Sequence, residues 1–324
     1  MSPYWRPLPE EDGALPLAGG WLRFSRLERL ARNEAPRILP ADAAPDDVIA
    51  RLTAPRPAIC GISMAAPSVM GIVNATPDSF SDGGSYDAIA QARMLAGQGA
   101  DILDIGGEST RPGAQEVAEP DEIARIRPVI RALAGALPIS VDTRKAGVAR
   151  AAIAAGAGLI NDVSGLDFDP ALAGVVAESG LPVCLMHAQG LPETMQDDPR
   201  YGHVLLDVYD ALDARITRAE AAGIPRARIL IDPGIGFGKT RAHNLAILRR
   251  IGLFHGLGCA ILLGVSRKRF IGALTGAAPA DRGPGTLAVT LAAVAQGVQM
   301  HRIHDLAMIR QGLTSWQAAT ERTK

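Results

Sequence analysis

The stretch Asp232-Pro233-Gly234-Ile235-Gly236-Phe237-Gly238-Lys239 sets a carboxylate, three glycines and a lysine within eight residues, directly after the apolar run Ile229–Ile231. That spacing fits a buried strand ending in an acid, followed by turns in which glycine takes positive φ and lets the backbone approach a ligand closely. It is not a P-loop, because Pro233 stands where the opening glycine of G-x-x-x-x-G-K-[ST] belongs. Nor is it G-x-G-x-x-G, since Lys239 occupies the third glycine position. Taken alone, the segment fits a turn-capping aspartate equally well. Its recurrence along the chain decides between the two.

From Ser68 onward the same unit repeats: a short apolar run, a polar residue, a loop, an Ala-rich amphipathic segment, a glycine. The apolar runs are Val69–Val73, Ile102–Ile105, Ile139–Val141, Leu159–Ile160, Val183–Met186, Ile229–Ile231, Ala260–Val265 and Met300–Ile303. Helical patterns lie between them over Ala88–Gln98, Asp121–Leu133, Ala146–Ala155, Ala171–Glu178, Val204–Ala222, Asn244–Ile251 and Leu287–Gln296. Strands alternating with helices imply parallel pairing with right-handed crossovers. Eight similar units over residues 67–324 predict an α/β fold of the (β/α)8 TIM-barrel type, whose usual length is ~250 residues. An open doubly wound sheet is the alternative, disfavoured because no G-x-G-x-x-G opens the first unit. Residues 1–66 are proline-broken and read as an N-terminal appendage, with a possible strand at Trp21–Leu27 and a capped short helix after Asp46-Asp47.

In a barrel the strand tips converge on one face. Here they carry Asn74, Asp104, Asp142, Asn161, His187, Asp232, Ser266-Arg267-Lys268, and Arg302 with His304. Two carboxylates, Asp142 and Asp232, with the Asn161 amide, are costly in a narrow mouth unless something donates to them. The adjacent N–H and NH2 donors of an amino-pyrimidinone edge answer that need with paired hydrogen bonds, and Lys268 could meet the ring from the other side. The opposite arc is expected to hold cations, Arg111, Arg302 and His304, together with the helix opening after Ser266, a set suited to phosphate or carboxylate. Two Gly-rich polar loops, 74–84 and 106–113, read as a lid.

Composition narrows the classes. A formal net charge of −1 gives no global pull toward nucleic acid or anionic membrane, and 4% aromatics argue against base-stacking platforms. Hydrophobic content of 48% with 21% charged residues fits a soluble globular chain, and no apolar run approaches the ~20 residues of a membrane span. Cys60, Cys184 and Cys259 show no C-x-x-C spacing and read as reduced core thiols. With no signal-peptide pattern at the start, they point to the cytoplasm.

The segments Met70–Gly84, Asp104–Gly113, Ser140–Thr143 with Asn161-Asp162, Leu185–Gly190, Asp232–Lys239, Ser266–Gly272 and Arg302–Asp305 closely resemble the dihydropteroate synthases of folate biosynthesis. The resemblance implies a Mg2+-requiring homodimer that joins dihydropterin pyrophosphate to p-aminobenzoate. It implies that Asp142, Asn161, Asp232 and Lys268 hold the pterin between Met186 and Phe237. Asn74, Thr110, Arg111, Arg302 and His304 would bind the diphosphate, Asn74 also meeting Mg2+. Phe80, Asp82, Pro112 and Ser266 would surround p-aminobenzoate, and the chemistry would rest on Asp142, Lys268, Arg302 and His304. Departures are modest: Ala75, Ala188 and Asp281-Arg282-Gly283 replace commoner family residues without removing a named contact. Two rivals are a pterin-binding methyltransferase barrel, which has no use for Arg302, His304 and the Thr110-Arg111-Pro112-Gly113 loop, and a non-catalytic homologue, which would have lost Arg302 or the first loop, both of which this chain retains.

Overall fold

The computed structural model describes residues 3–75, 88–109, 115–190 and 195–320. Eight parallel strands close into a barrel: β5 (Ser68–Asn74), β6 (Ile102–Gly106), β7 (Ile139–Asp142), β8 (Leu159–Asp162), β9 (Val183–Met186), β10 (Ile229–Asp232), β11 (Ala260–Leu263) and β12 (Met300–Ile303). Each lies on an apolar run predicted from the sequence. The outer layer contains α2 (Ala88–Gly97), α3 (Glu119–Leu133), α4 (Ala146–Ala155), α5 (Leu172–Ser179), α6 (Val204–Ala221), α7 (Arg241–Arg249), α8 (Arg269–Thr275), α9 (Gly283–Val294) and α10 (Leu306–Thr320). Helix α7 starts three residues ahead of the predicted Asn244. Thr240 caps it, accepting from His243 N–H, while the His243 ring accepts from Thr240 N–H.

Strand parity explains the barrel interior. Side chains alternate across a strand, so every second residue points inward. The inward set low in the barrel is apolar: Met70, Ile102, Leu159, Cys184, Leu230, Ala260, Leu262 and Met300 form one buried cluster. Two residues further along each strand, on the same parity, stand Asp104, Asn161, Met186, Asp232 and Arg302. One period-two pattern thus writes both a dry floor and a polar mouth. Cys184 belongs to the dry layer, and burial pushes its thiol up.

Residues before β5 form a small antiparallel sheet. Strand β3 (Arg23–Leu30) pairs with β1 (Tyr4–Glu10), β2 (Leu15–Pro16) and β4 (Arg37–Pro40), and α1 (Asp46–Thr53) follows. Trp5, Leu17, Phe24, Leu27 and Leu52 make its own buried cluster. The expected strand and helix are present there, but the helix begins at Asp46 itself, with Pro45 at its N-cap and no side-chain cap, so Asp46 and Asp47 lie in its first turn; β1 and β4 were hidden in the sequence by Pro7, Pro9 and Pro40. The unit is fastened to the barrel. The Arg56 guanidinium donates to the carbonyls of His255 (3.0 Å) and Cys259 (3.2 Å), Glu28 meets Arg250, and the Tyr4 hydroxyl donates to Asp210 (2.8 Å). Ile59 and Met64, each at most 2% exposed, close the apolar floor. Burying such a side chain contributes about 1.5–3 kcal/mol.

Candidate active site

Strand register sets the first layer of the mouth. Asn74 lies opposite Gly106, Gly106 opposite Asp142, and Asp142 opposite Asn161. Just beneath sits Asp104, fully buried, whose carboxylate accepts from Ser140 Oγ (2.6 Å), Asn161 Nδ2 (3.1 Å) and Arg302 Nε (2.6 Å). Arg302 Nη2 also donates to Asp142 Oδ2 at 3.0 Å. Asp142 Oδ1 is buried with no hydrogen-bond donor among the described residues. A carboxylate oxygen in that position wants a donor from a ligand.

On the adjoining arc Asp232 lies opposite Met186. Asp232 Oδ1 accepts the Gly234 N–H at 2.7 Å, while Oδ2 lies toward Gly264. The loop after β10 turns on glycines the backbone needs. Gly234 has φ +67°, and a Cβ there would sit 1.9 Å from the His187 carbonyl oxygen; one on Gly238 would meet Gln189 O at 2.4 Å. The turn brings the Phe237 ring under the Lys268 ammonium, 4.0 Å from the centroid. Phe237 also lines a neighbouring cavity of about 220 Å³ with Val163, Met195, Arg144 and Phe168. That cavity does not coincide with the acid cluster, and the converging side chains rather than the hollow mark the centre of the site.

The third side of the mouth is built by the segments after β11 and β12. Ser266 Oγ meets both the backbone N–H and Nδ1 of His304 at 3.0 Å. Ser266, expected near a ligand carboxylate, thus also orients His304. Arg267 adopts a left-handed backbone (φ 56°), unusual for a side-chain-bearing residue. Its guanidinium is clamped by Asp305 and its N–H donates to Thr286 Oγ1 (3.1 Å). The strained turn presents Ser266 and Lys268 to the mouth on either side of it. The backbone of Arg302 and His304 follows from β12.

Thr110, Arg111, Pro112, Phe80 and Asp82 lie outside the described residues. The stems flanking residues 110–114 are held by a buried network absent from the sequence reading. Lys145 Nζ donates to Glu108 (2.6 Å) and Glu122 (2.8 Å), Arg144 Nε donates to Glu108 (3.0 Å), and Glu108 accepts Val117 N–H (2.7 Å). The signal available was Glu108 directly after the strand Ile102–Gly106 and Gly107, matched by Arg144-Lys145 after the next strand. His203 and His243 cap helices α6 and α7 rather than entering the mouth.

One expectation is corrected. Acids and cations were assigned to opposite arcs, but Arg302 lies directly on Asp104 and Asp142. Two buried carboxylates otherwise repel, and a guanidinium between them, donating through Nε to one and Nη2 to the other, compensates part of that charge. Burial pushes the Asp142 carboxyl up to about 7, opposed by Arg302 and reinforced by Asp104. Burial likewise raises Asp232, opposed by the Gly234 N–H and Lys268. Burial also works against the Arg302 charge, yet Asp104 and Asp142 leave its guanidinium bound to its proton even more firmly than usual. The mouth therefore offers hydrogen-bond acceptors of high basicity, with a permanent cation at their edge. Among the described residues no three His, Cys, Asp or Glu side chains cluster as metal ligands.

Comparison with known proteins agrees with this geometry. The family described as "Pterin binding enzyme" matches residues 70–304. Dihydropteroate synthase of Escherichia coli (strain K12) is 45% identical over 240 residues, covering 72% of this chain and 85% of that protein. Among solved structures, Xanthomonas albilineans dihydropteroate synthase with 4-aminobenzoic acid superposes with a TM-score of 0.78 at 47% identity, covering 83% of this chain and 99% of that one. The Xanthomonas albilineans enzyme in complex with 7,8-dihydropteroate gives 0.75 at 44% identity, covering 83% of this chain and 100% of that one.

Proposed function

Since the chain belongs to the pterin-binding enzymes, and within them to the dihydropteroate synthases, we propose how the residues of this mouth divide the reaction. The enzyme is a transferase of folate biosynthesis, condensing 6-hydroxymethyl-7,8-dihydropterin pyrophosphate with p-aminobenzoate to 7,8-dihydropteroate and pyrophosphate. In our reading Asp142, Asn161 and Asp232 receive the N–H and NH2 donors of the pterin, Lys268 meets the ring, and Met186 and Phe237 flank it. The buried Asp142 Oδ1, without a donor among the described residues, is the observation that carries this assignment. Arg302 and His304, joined by Thr110, Arg111 and Asn74, take the diphosphate. Phe80, Asp82, Pro112 and Ser266 enclose p-aminobenzoate.

The attacking arylamine is neutral at pH 7, so no strong base need act before it. The demand falls on the departing diphosphate, whose charge guanidinium and imidazole groups stabilise. Electron release from the pterin ring lets the methylene C–O bond break first, and the Asp142 carboxylate stabilises the resulting cation. The amine nitrogen then bonds to that carbon and loses a proton. Mg2+ fits the donor set here: Asn74 offers a hard carboxamide oxygen beside Gly106, and this ion habitually fills its other positions with phosphate oxygens and water. When bound, it supplies charge neutralisation at the diphosphate.

A homodimer in the cytoplasm, joined through the late helices, completes the proposal; Leu274 on α8, 54% exposed, supports that surface. Residues 1–66 are read as a structural extension, because their contacts run to the barrel floor and outer wall. The test is diphosphate release. Rapid, sustained release is expected only when pterin diphosphate and p-aminobenzoate are supplied together, with slow release from the pterin alone marking the dissociative path. A crystal soaked with the pterin substrate alone that never loses diphosphate counts against that path.

A further inference from the structure

Lys239 is used by none of the roles above, yet it is among the most enclosed charged groups in the chain, 2% exposed. Its Nζ lies 2.8 Å from His187 Nδ1 and donates to the carbonyls of Gly234 (2.9 Å), Phe237 (3.0 Å) and His187 (3.2 Å). No carboxylate is among these partners. Three carbonyl oxygens converging on one nitrogen call for three N–H donors, which an ammonium supplies. Burial pulls the Lys239 ammonium well below its usual range and Asp232 opposes this, while burial and the Lys239 charge push His187 down to about 2, so the imidazole is neutral beside it. The arrangement has the form of a small cation site whose occupant is the chain's own side chain.

Each of the three carbonyls belongs to a residue that holds, forms or adjoins a wall of the pterin pocket. The Gly234 N–H holds Asp232 Oδ1, Phe237 carries the ring beneath Lys268, and His187 directly follows Met186. The strands behind them are neighbours, Met186 opposite Asp232. The loop has further fastenings, Gln196 Nε2 to Gly236 O (2.6 Å), Tyr201 Oη to Gly238 O (2.7 Å) and Gly236 N–H to Asn244 Oδ1 (2.8 Å), but none joins all three peptides.

We propose that Lys239 is a positioning residue for the pterin pocket, its ammonium acting as an internal cation that locks the 234–238 loop to the end of β9 and so fixes Asp232, Phe237 and Met186 relative to one another. The inference rests on reading the mouth as the pterin site. It separates Lys239 from a residue that merely stabilises the fold, because its loss acts on one substrate and not on the other.

The experiment uses the full chain with Lys239→Ala and follows diphosphate release while each substrate is varied. KM for the pterin diphosphate is expected to rise about tenfold or more, as loss of a charged hydrogen bond implies, with KM for p-aminobenzoate within about twofold of wild type. Propylammonium, which replaces the deleted atoms and charge, is expected to restore part of the pterin affinity, and 1-propanol is not. Should the alanine variant fail to fold by circular dichroism, Lys239→Met, which keeps the apolar stem, is measured in the same way. An unchanged pterin KM, an equal rise in both KM values, or equal rescue by propanol overturns the proposal. Wild-type protein and Asp232→Asn titrated with the pterin diphosphate form the control. If both bind alike, the reading of the mouth fails; if they differ while Lys239→Ala matches wild type, only the role of Lys239 fails.

Discussion

Replacing Asp232 by asparagine isolates one contact of the pocket. In the wild-type protein Oδ1 is committed to the Gly234 N–H at 2.7 Å, and Oδ2 lies toward Gly264. Asparagine keeps the volume and can keep the Gly234 bond through its carbonyl, which puts an NH2 group where Oδ2 was. A substrate donor then faces a protein donor. Losing a charged hydrogen bond costs about 1.5–3 kcal/mol, or about 10–150-fold in Kd, and the mismatch sets the expected loss at the upper end. Alanine removes both roles, so Asp232→Ala is expected to weaken binding and also to lower unfolding stability by about 1 kcal/mol through the unpaired Gly234 N–H. Calorimetric titration with the pterin diphosphate measures the first effect and urea denaturation the second. An asparagine variant that is folded, as stable as wild type and equally tight for the pterin refutes the assignment of Oδ2 to the substrate.

Further outcomes follow from the same geometry. With its folded pKa raised to about 7, Asp142 stabilises the fold fully below its unfolded value near 4, and this contribution fades as pH rises through 7. Pterin pairing needs the ionised carboxylate, so affinity should strengthen over the interval in which stability falls; calorimetry from pH 5.5 to 8.5 on wild type and Asp142→Asn checks this, and a flat wild-type profile denies it. Asp104→Ala leaves Arg302 paired with Asp142 alone and frees the Asn161 amide. Removing one partner of a buried ion pair costs about 3–5 kcal/mol, read as lost stability by denaturation and as a higher pterin KM. Lys145→Met leaves Glu108 and Glu122 buried without their shared cation. A similar penalty of about 3–5 kcal/mol is expected in chemical denaturation.

The barrel was readable because its strands are short apolar runs punctuated by polar residues of one parity, and each run became a strand within two residues of its predicted ends. Helix α10 escaped notice although Leu306, Ile309 and Leu313 follow a helical period, since it lies beyond the last strand where the repeat gives no template. The converging set Asp142, Asn161, Asp232, Lys268, Arg302 and His304 was visible as strand tips. The pairing among them was not. Asp104 shares the inward parity of Ile102, yet only three-dimensional closure brings it to Arg302, 198 residues away. The salt-bridged stem at Glu108 and Lys145 and the carbonyl cradle around Lys239 likewise depend on contacts between successive barrel units, which strand spacing alone does not encode. The early prolines hid two edge strands for a simpler reason: proline lowers the pattern score of a strand whose exposed edge tolerates it.

The fastening of Arg56 and Tyr4 to partners 203 and 206 residues downstream has a kinetic consequence for a chain made from one end to the other. Ribosomes add about 5–20 residues per second, so the segment that stoppers the barrel waits on the order of 10–40 s before Asp210 and Cys259 emerge to receive it. Throughout that interval Ile59 and Met64 have no finished chamber to enter, and non-local closure of this kind is slow even once synthesis ends. Tags, fusions or truncations placed ahead of residue 66 will thus disturb the last act of assembly, and soluble yield will register the damage before turnover does.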